Sequence, residues 1–119
     1  MPPREQNKIV LVSRDAKLTD VRKRVLEDAG FAVIHAIDES DVQQACGRES
    51  VGLILVGQSL SPSEKRRVWV AAKAQCNVPI LELYHRGRPE LLEQNVLTHH
   101  SQKPDDFLDS VRNALNEPA

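Results

Sequence analysis

Only four of the 119 residues are aromatic: Phe31, Trp69, Tyr84 and Phe107. A core of stacked rings is excluded, so the interior has to come from Val, Leu, Ile and Ala. Cysteine is as scarce. Cys46 and Cys76 lie far apart and outside any CxxC spacing. A disulfide framework or a structural zinc site is not expected, and a reducing, cytoplasmic setting fits. No apolar run approaches the length of a membrane span, and the charged start has no long apolar stretch behind it, so no signal peptide is expected. The net charge is −1 and the pI about 6.4. That balance gives no global field to recruit nucleic acid or a membrane surface. The five glycines form no phosphate-cradling loop.

What is present is enough for one folded domain. Apolar residues are 40% and charged residues 28%, the balance of a globular chain rather than a disordered one. Residues 1–7 are expected to be a disordered tail and residues 8–117 a single domain. Ile9-Val10-Leu11-Val12 is a short, continuously apolar run, as a strand covered on both faces requires. Leu18, Val21, Val25 and Leu26 recur at helical spacing, and Gly30 follows as a helix-terminating glycine would. Phe31 to Ile34 reads as a second strand. Asp38 or Ser40 can cap a helix carrying Val42, Ala45 and Cys46, ending near Gly47. Val51 to Val56 is a third strand, ended by Gly57. Ser61-Pro62-Ser63-Glu64 opens a helix with Val68, Ala71, Ala72 and Ala74 inward. Val78 to Leu83 is a fourth strand, a short helix follows around Glu90 to Gln94, and Val96 to Ser101 is a fifth strand at a sheet edge. Pro104-Asp105-Asp106 opens a last helix with Phe107, Leu108, Val111 and Leu115 on one face.

Five strands alternating with five helices imply an α/β fold, a doubly wound parallel sheet with helices on both faces. Chemistry in such sheets gathers beyond the carboxyl ends of the strands. The residues there are Ser13, Arg14, Asp15, Gly57, Tyr84, His85 and Lys103.

The fragments Lys8 to Val12, Leu26-Glu-Asp-Ala-Gly-Phe31, Leu53 to Val56, Val78-Pro79-Ile80 and Lys103-Pro104, in this order and spacing, resemble the receiver domain of two-component response regulators. The resemblance runs from about Lys8 to Leu115. It implies a flavodoxin-like sheet of order 2-1-3-4-5. It also implies a site made of an acid pair after the first strand, a phospho-accepting Asp after the third, a hydroxyl after the fourth and a lysine after the fifth. Three carboxylates would hold Mg²⁺ in an oxygen shell, and metal and lysine would neutralise the phosphoryl group. On this chain the acid pair falls on Ser13 and Arg14, the phospho-acceptor on Gly57 and the hydroxyl on Tyr84. The aromatic switch position falls on His100. Only Lys103 keeps its type, and Asp15 fits a third acid beyond the pair. No Asp or Glu lies between Ser50 and Ser63, so no shift of register supplies an acceptor.

Other features have plain explanations beside the sharp ones. Lys103 is either a turn residue with Pro104 or a partner for Asp15. His99 and His100 alternate across a strand, which does not suit one metal, and His35 and His85 read as surface residues. Arg22-Lys23-Arg24 and Lys65-Arg66-Arg67 read as solvated helix faces balanced by Glu27, Asp28 and Glu64. Trp69 is either half-buried or a partner contact.

The expected function is that of a degenerate receiver-like domain, a pseudo-receiver in phosphorelay signalling. It is expected to act through protein contacts without phosphorylation at Gly57, with no enzymatic activity, metal or cofactor. Its partner would be a signalling protein, a kinase or output domain, or a second copy of the chain. The contact face would be the fourth helix, fifth strand and fifth helix, with His100, Phe107, Asp105, Asp106 and Asp109. Neither nucleic acid nor membrane is an expected partner. The alternative is a flavodoxin-like domain that binds a small anion or metabolite between Arg14 and Lys103, where the sequence places more positive than negative charge.

Overall fold

The computed structural model describes residues 8–48, 50–76, 78–84, 96–100 and 107–115, with 96–100 as backbone alone. In chain order they form β1 (Lys8–Val12), α1 (Ala16–Asp28), β2 (Ala32–Ala36), α2 (Glu39–Arg48), β3 (Val51–Val56), α3 (Pro62–Gln75), β4 (Ile80–Tyr84), β5 (Val96–His100) and α4 (Phe107–Leu115). The sheet order is β2-β1-β3-β4-β5, and every pairing is parallel. This is the expected order, with β3 central and β5 at an edge. The described residues hold four helices. The expected helix around Glu90 to Gln94 lies outside them, as do the tail 1–7, His85 and Lys103.

Strand alternation divides the core into two layers. Ile9 and Leu11, Leu53 and Leu55, and Leu81 and Leu83 face Leu26 of α1 and Phe107, Val111 and Ala114 of α4. Val10 and Val12, Ile54 and Val56, and Ile80 face Val42 and Ala45 of α2 and Val68 and Ala72 of α3. Each fully buried Leu, Ile or Val contributes about 1.5–3 kcal/mol by leaving water.

The caps follow the sequence signals. Asp15 precedes α1, and its side chain accepts from the Leu18 amide. Gly30 has φ +99, the left-handed residue after a helix end that glycine adopts without a Cβ penalty. Asp38 accepts from the Asp41 amide at 3.1 Å. Ser61 and Glu64 form a reciprocal capping box with Pro62 in the first turn of α3.

Four expectations are corrected. The inner face of α1 is not the valine stripe. Val21 is 60% and Val25 37% exposed, while Thr19 and Leu26 are buried. The polar Thr19 takes an inner place because its hydroxyl donates to the Asp15 carbonyl at 2.8 Å, which satisfies it locally. Ala74 of α3 is likewise exposed. Next, Lys65 is not on a solvated face. It is 2% exposed, and its Nζ lies 2.8 Å from Oε2 of the fully buried Glu82. It also donates to the Leu83 carbonyl at 3.2 Å. Glu82 alternates with Leu81 and Leu83 onto the face that α3 covers, so the lysine in the first turn of α3 neutralises it. Finally, Cys46 and Cys76 are joined by a disulfide, with Cα atoms 5.2 Å apart. Sequence separation hid this pairing. The sheet order lays α2 and α3 side by side on one face, which brings their last turns together.

Candidate site at the carboxyl ends of the strands

The loops after β1 and β3 meet over the centre of the sheet. Ser13 continues β1, with its amide donating to the Ala36 carbonyl, and is buried. His35 Nε2 lies 2.9 Å from the Ser13 carbonyl oxygen. That oxygen can only accept, so Nε2 carries the proton. The Arg14 amide donates to Ser59 Oγ at 2.9 Å, which ties the first loop to the third.

Arg14 does not reach into an open pocket. Its Nη2 lies 2.9 Å from Glu64 Oε2, and its Nε donates to the Ile37 carbonyl at 3.3 Å. The other Glu64 oxygen, Oε1, accepts from the Ser61 amide at 2.8 Å. The Glu64 carboxyl is held below its usual value, first by that backbone bond, then by the Ser61 hydroxyl and by Arg14 and Arg67 nearby. Asp15 Oδ1 accepts from the Leu18 amide at 3.0 Å as the cap of α1. Arg22, half-buried on α1, donates through Nη2 to Gln58 Oε1 at 2.8 Å. Burial lowers its pKa below the usual guanidinium value, and Asp15 partly offsets this.

The charge balance expected from the sequence therefore changes. Glu64 and Arg22 join Arg14 and Asp15, and these four groups are two cations and two anions. Sequence reasoning missed Arg22 because it belongs to a basic triplet. Its signal is position, about two turns into the helix that Asp15 caps.

Gly57 is the tightest point. Its amide donates to the Val12 carbonyl at 2.8 Å. A Cβ built on Gly57 would lie 2.7 Å from that carbonyl oxygen and 3.3 Å from Ser13 Cβ. The first distance is well inside van der Waals contact with a backbone atom that the sheet holds in place. Here only glycine fits, and its need comes from close approach rather than from φ.

The donors do not suit the Mg²⁺ that a receiver fold implies. A hard cation takes several oxygen ligands, carboxylates foremost. Ser13, Arg14 and Gly57 supply no carboxylate, that of Asp15 already caps α1, and a guanidinium faces the loop. Among the described residues no group of three His, Cys, Asp or Glu side chains is placed to hold a metal ion.

The remaining expected residues are dispersed. Tyr84 ends β4 and is half-buried. His100 ends β5. Phe107 is 7% exposed and packs in the core, which corrects its reading as a surface contact. It opens α4 directly against the sheet and is needed there as apolar filling. Asp109 of the same helix is exposed. Trp69 is half-buried against the α2–α3 layer, with the Arg66 guanidinium 5.7 Å from its ring centre, within cation–π range.

No family model and no curated protein matches this chain. Solved structures do. The N-terminal domain of a response regulator/sensory box/GGDEF three-domain protein from Carboxydothermus hydrogenoformans superposes with a TM-score of 0.74 at 17% identity, covering 91% of this chain and 93% of that one. A response regulator receiver protein from Sinorhizobium medicae gives 0.71 at 15% identity, covering 92% and 94%. The N-terminal domain of a response regulator receiver protein from Methanoculleus marisnigri gives 0.62 at 16% identity, covering 92% and 97%. Over nearly its whole length, the chain has the fold of response regulator receiver domains.

Proposed function

We propose that this chain is a receiver-like signalling module that works through protein contacts, without an acyl phosphate at the usual strand end. Gly57 carries the reading. It stands where the resemblance puts the phospho-acceptor, and a Cβ there would meet the Val12 carbonyl oxygen at 2.7 Å. The position has no carboxylate and no space for one. The Arg14–Glu64 pair supports the same conclusion, because it fills the loop with an internal cation and anion in place of metal and phosphate. The module acts in the cytoplasm on a kinase, an output domain or a second copy of itself. A non-enzymatic role is part of this reading: among the described residues, Asp15, Glu64 and His35 are tied to backbone groups and to Arg14 rather than arranged as an acid/base pair.

The alternative, a small anion or metabolite held by Arg14 and Lys103, has less support. Arg14 already has an anionic partner in Glu64, and Lys103 lies outside the described residues. A beryllofluoride titration in Mg²⁺, followed by amide NMR shifts, tests the reading. The amides of Ser13, Asp15, Gly57 and Gln58 are expected to stay unmoved. Saturable shifts centred on them would overturn it.

A further inference from the structure

The disulfide is the one covalent bond between two elements of the described fold, and it is placed to act rather than merely to staple. Cys46 lies in the last turn of α2, and Cys76 is the C-cap of α3. Both are half-buried, at the margin of the core. They are the chain's only cysteines, so reduction leaves no third sulfur for reshuffling.

The same two helices are tied a second time near their other ends. Arg67 Nε lies 3.2 Å from Glu39 Oε1, and both side chains are largely exposed. An exposed ion pair of this kind is weak. The sulfur bond is therefore the strong tie between α2 and α3, at the margin of an apolar core that includes Val42, Ala45, Val68 and Ala72. A bond between two half-buried cysteines at the margin of the core, rather than inside it, suits a reversible link. In a cytoplasmic setting such a link is transient and sensing in character.

We infer that Cys46 and Cys76 form a thiol switch that locks or frees the α2–α3 face in response to cellular dithiols. The inference rests on the cytoplasmic placement proposed above, and not on the absence of phosphorylation. In the exchange, a thiolate of the dithiol attacks one cysteine sulfur. A mixed disulfide forms, and the other cysteine leaves as a thiolate that takes up a proton. The reductant's second thiol then displaces the first cysteine. The reductant leaves as its own disulfide, two electrons have passed to the protein, and both cysteines end as thiols.

Trp69, the chain's only tryptophan, reports on this layer, since it packs against the same core cluster as Cys46 and Cys76. The test incubates the folded chain with increasing dithiothreitol, traps thiols with an alkylating agent and reads mass and Trp69 emission. The switch predicts a reduction rate proportional to dithiol concentration and a changed emission. It also predicts a folded product that oxidised glutathione returns to the starting form. Cys46→Ser and Cys76→Ser should each fold and match the reduced chain. Three results would overturn it: a rate that plateaus at the unfolding rate, loss of the cooperative fold on reduction and in both serine variants, or reduction with unchanged emission. None of these readouts involves phosphate, so failure here is distinct from failure of the reading of Gly57.

Discussion

Arg14 and Glu64 meet at 2.9 Å across the ends of β1 and α3, and Glu64 serves the fold twice. One oxygen closes the capping box with the Ser61 amide and the other fixes the guanidinium. The loop after β1 is thereby anchored to the helix after β3 by charge that the chain carries itself.

This double role gives a pH dependence of defined sign. The Glu64 carboxyl is held below its usual value, mainly by the Ser61 amide. A lowered folded pKa means the stabilisation is complete above the ordinary value of 4.5 and is lost as pH falls through the folded one. Glu64→Gln should therefore lower the thermal midpoint at neutral pH. The gap to the parent chain should close as the solution is acidified below 4.5. A gap that stays constant from neutral to acid pH would contradict the role of the charge.

Gly57→Asp restores the family residue on paper but not in space. The new Cβ meets the Val12 carbonyl oxygen at 2.7 Å. The expected cost is about 1–3 kcal/mol, as for other overpacked sites. Urea titration measures it, and beryllofluoride should not recover the loss. A variant as stable as the parent chain would show that β1 and β3 can separate at this point.

Lys65 and Glu82 are a buried pair at 2.8 Å. Removing one partner leaves the other charge buried without this counter-ion, so Glu82→Leu or Lys65→Met alone should cost about 3–5 kcal/mol. The double replacement should recover most of that loss, because two apolar side chains suit the layer formed by Val56, Val68 and Ile80. A denaturation cycle of the four proteins reads the coupling. Additive losses would mean that the pair does not act as a unit.

Leu55 is fully buried in the central strand and faces the α1–α4 layer. Leu55→Ala should cost about 2–5 kcal/mol by transfer and cavity formation. A loss below about 1 kcal/mol in the same titration would be inconsistent with a central, close-packed β3.

The sheet was legible because its strands are short apolar runs separated by strong helix caps. Val51 to Val56, the Ser61 capping box and Gly30 all carry their signals locally. Tertiary pairings were not legible. Lys65 reads as one of three basic surface residues until Glu82 is seen on the next strand, where strand alternation turns it inward. Cys46 and Cys76 look independent until the sheet order sets α2 beside α3. The α1 stripe misled because Val21 and Val25 keep helical spacing while Thr19, satisfied by the Asp15 carbonyl, takes the inner place. At the strand ends the substitutions themselves could be read, but not the Glu64 that neutralises Arg14. Glu64 lies 50 residues further on and also carries a cap signal of its own.

The most direct test of the central claim is intact-mass analysis of the chain after incubation with acetyl phosphate and Mg²⁺. The geometry at Gly57 and Arg14 predicts no phosphoryl adduct. A hydroxylamine-sensitive increment of one phosphoryl group, labile in acid and in base and mapped to a carboxylate at the strand ends such as Asp15, would contradict it.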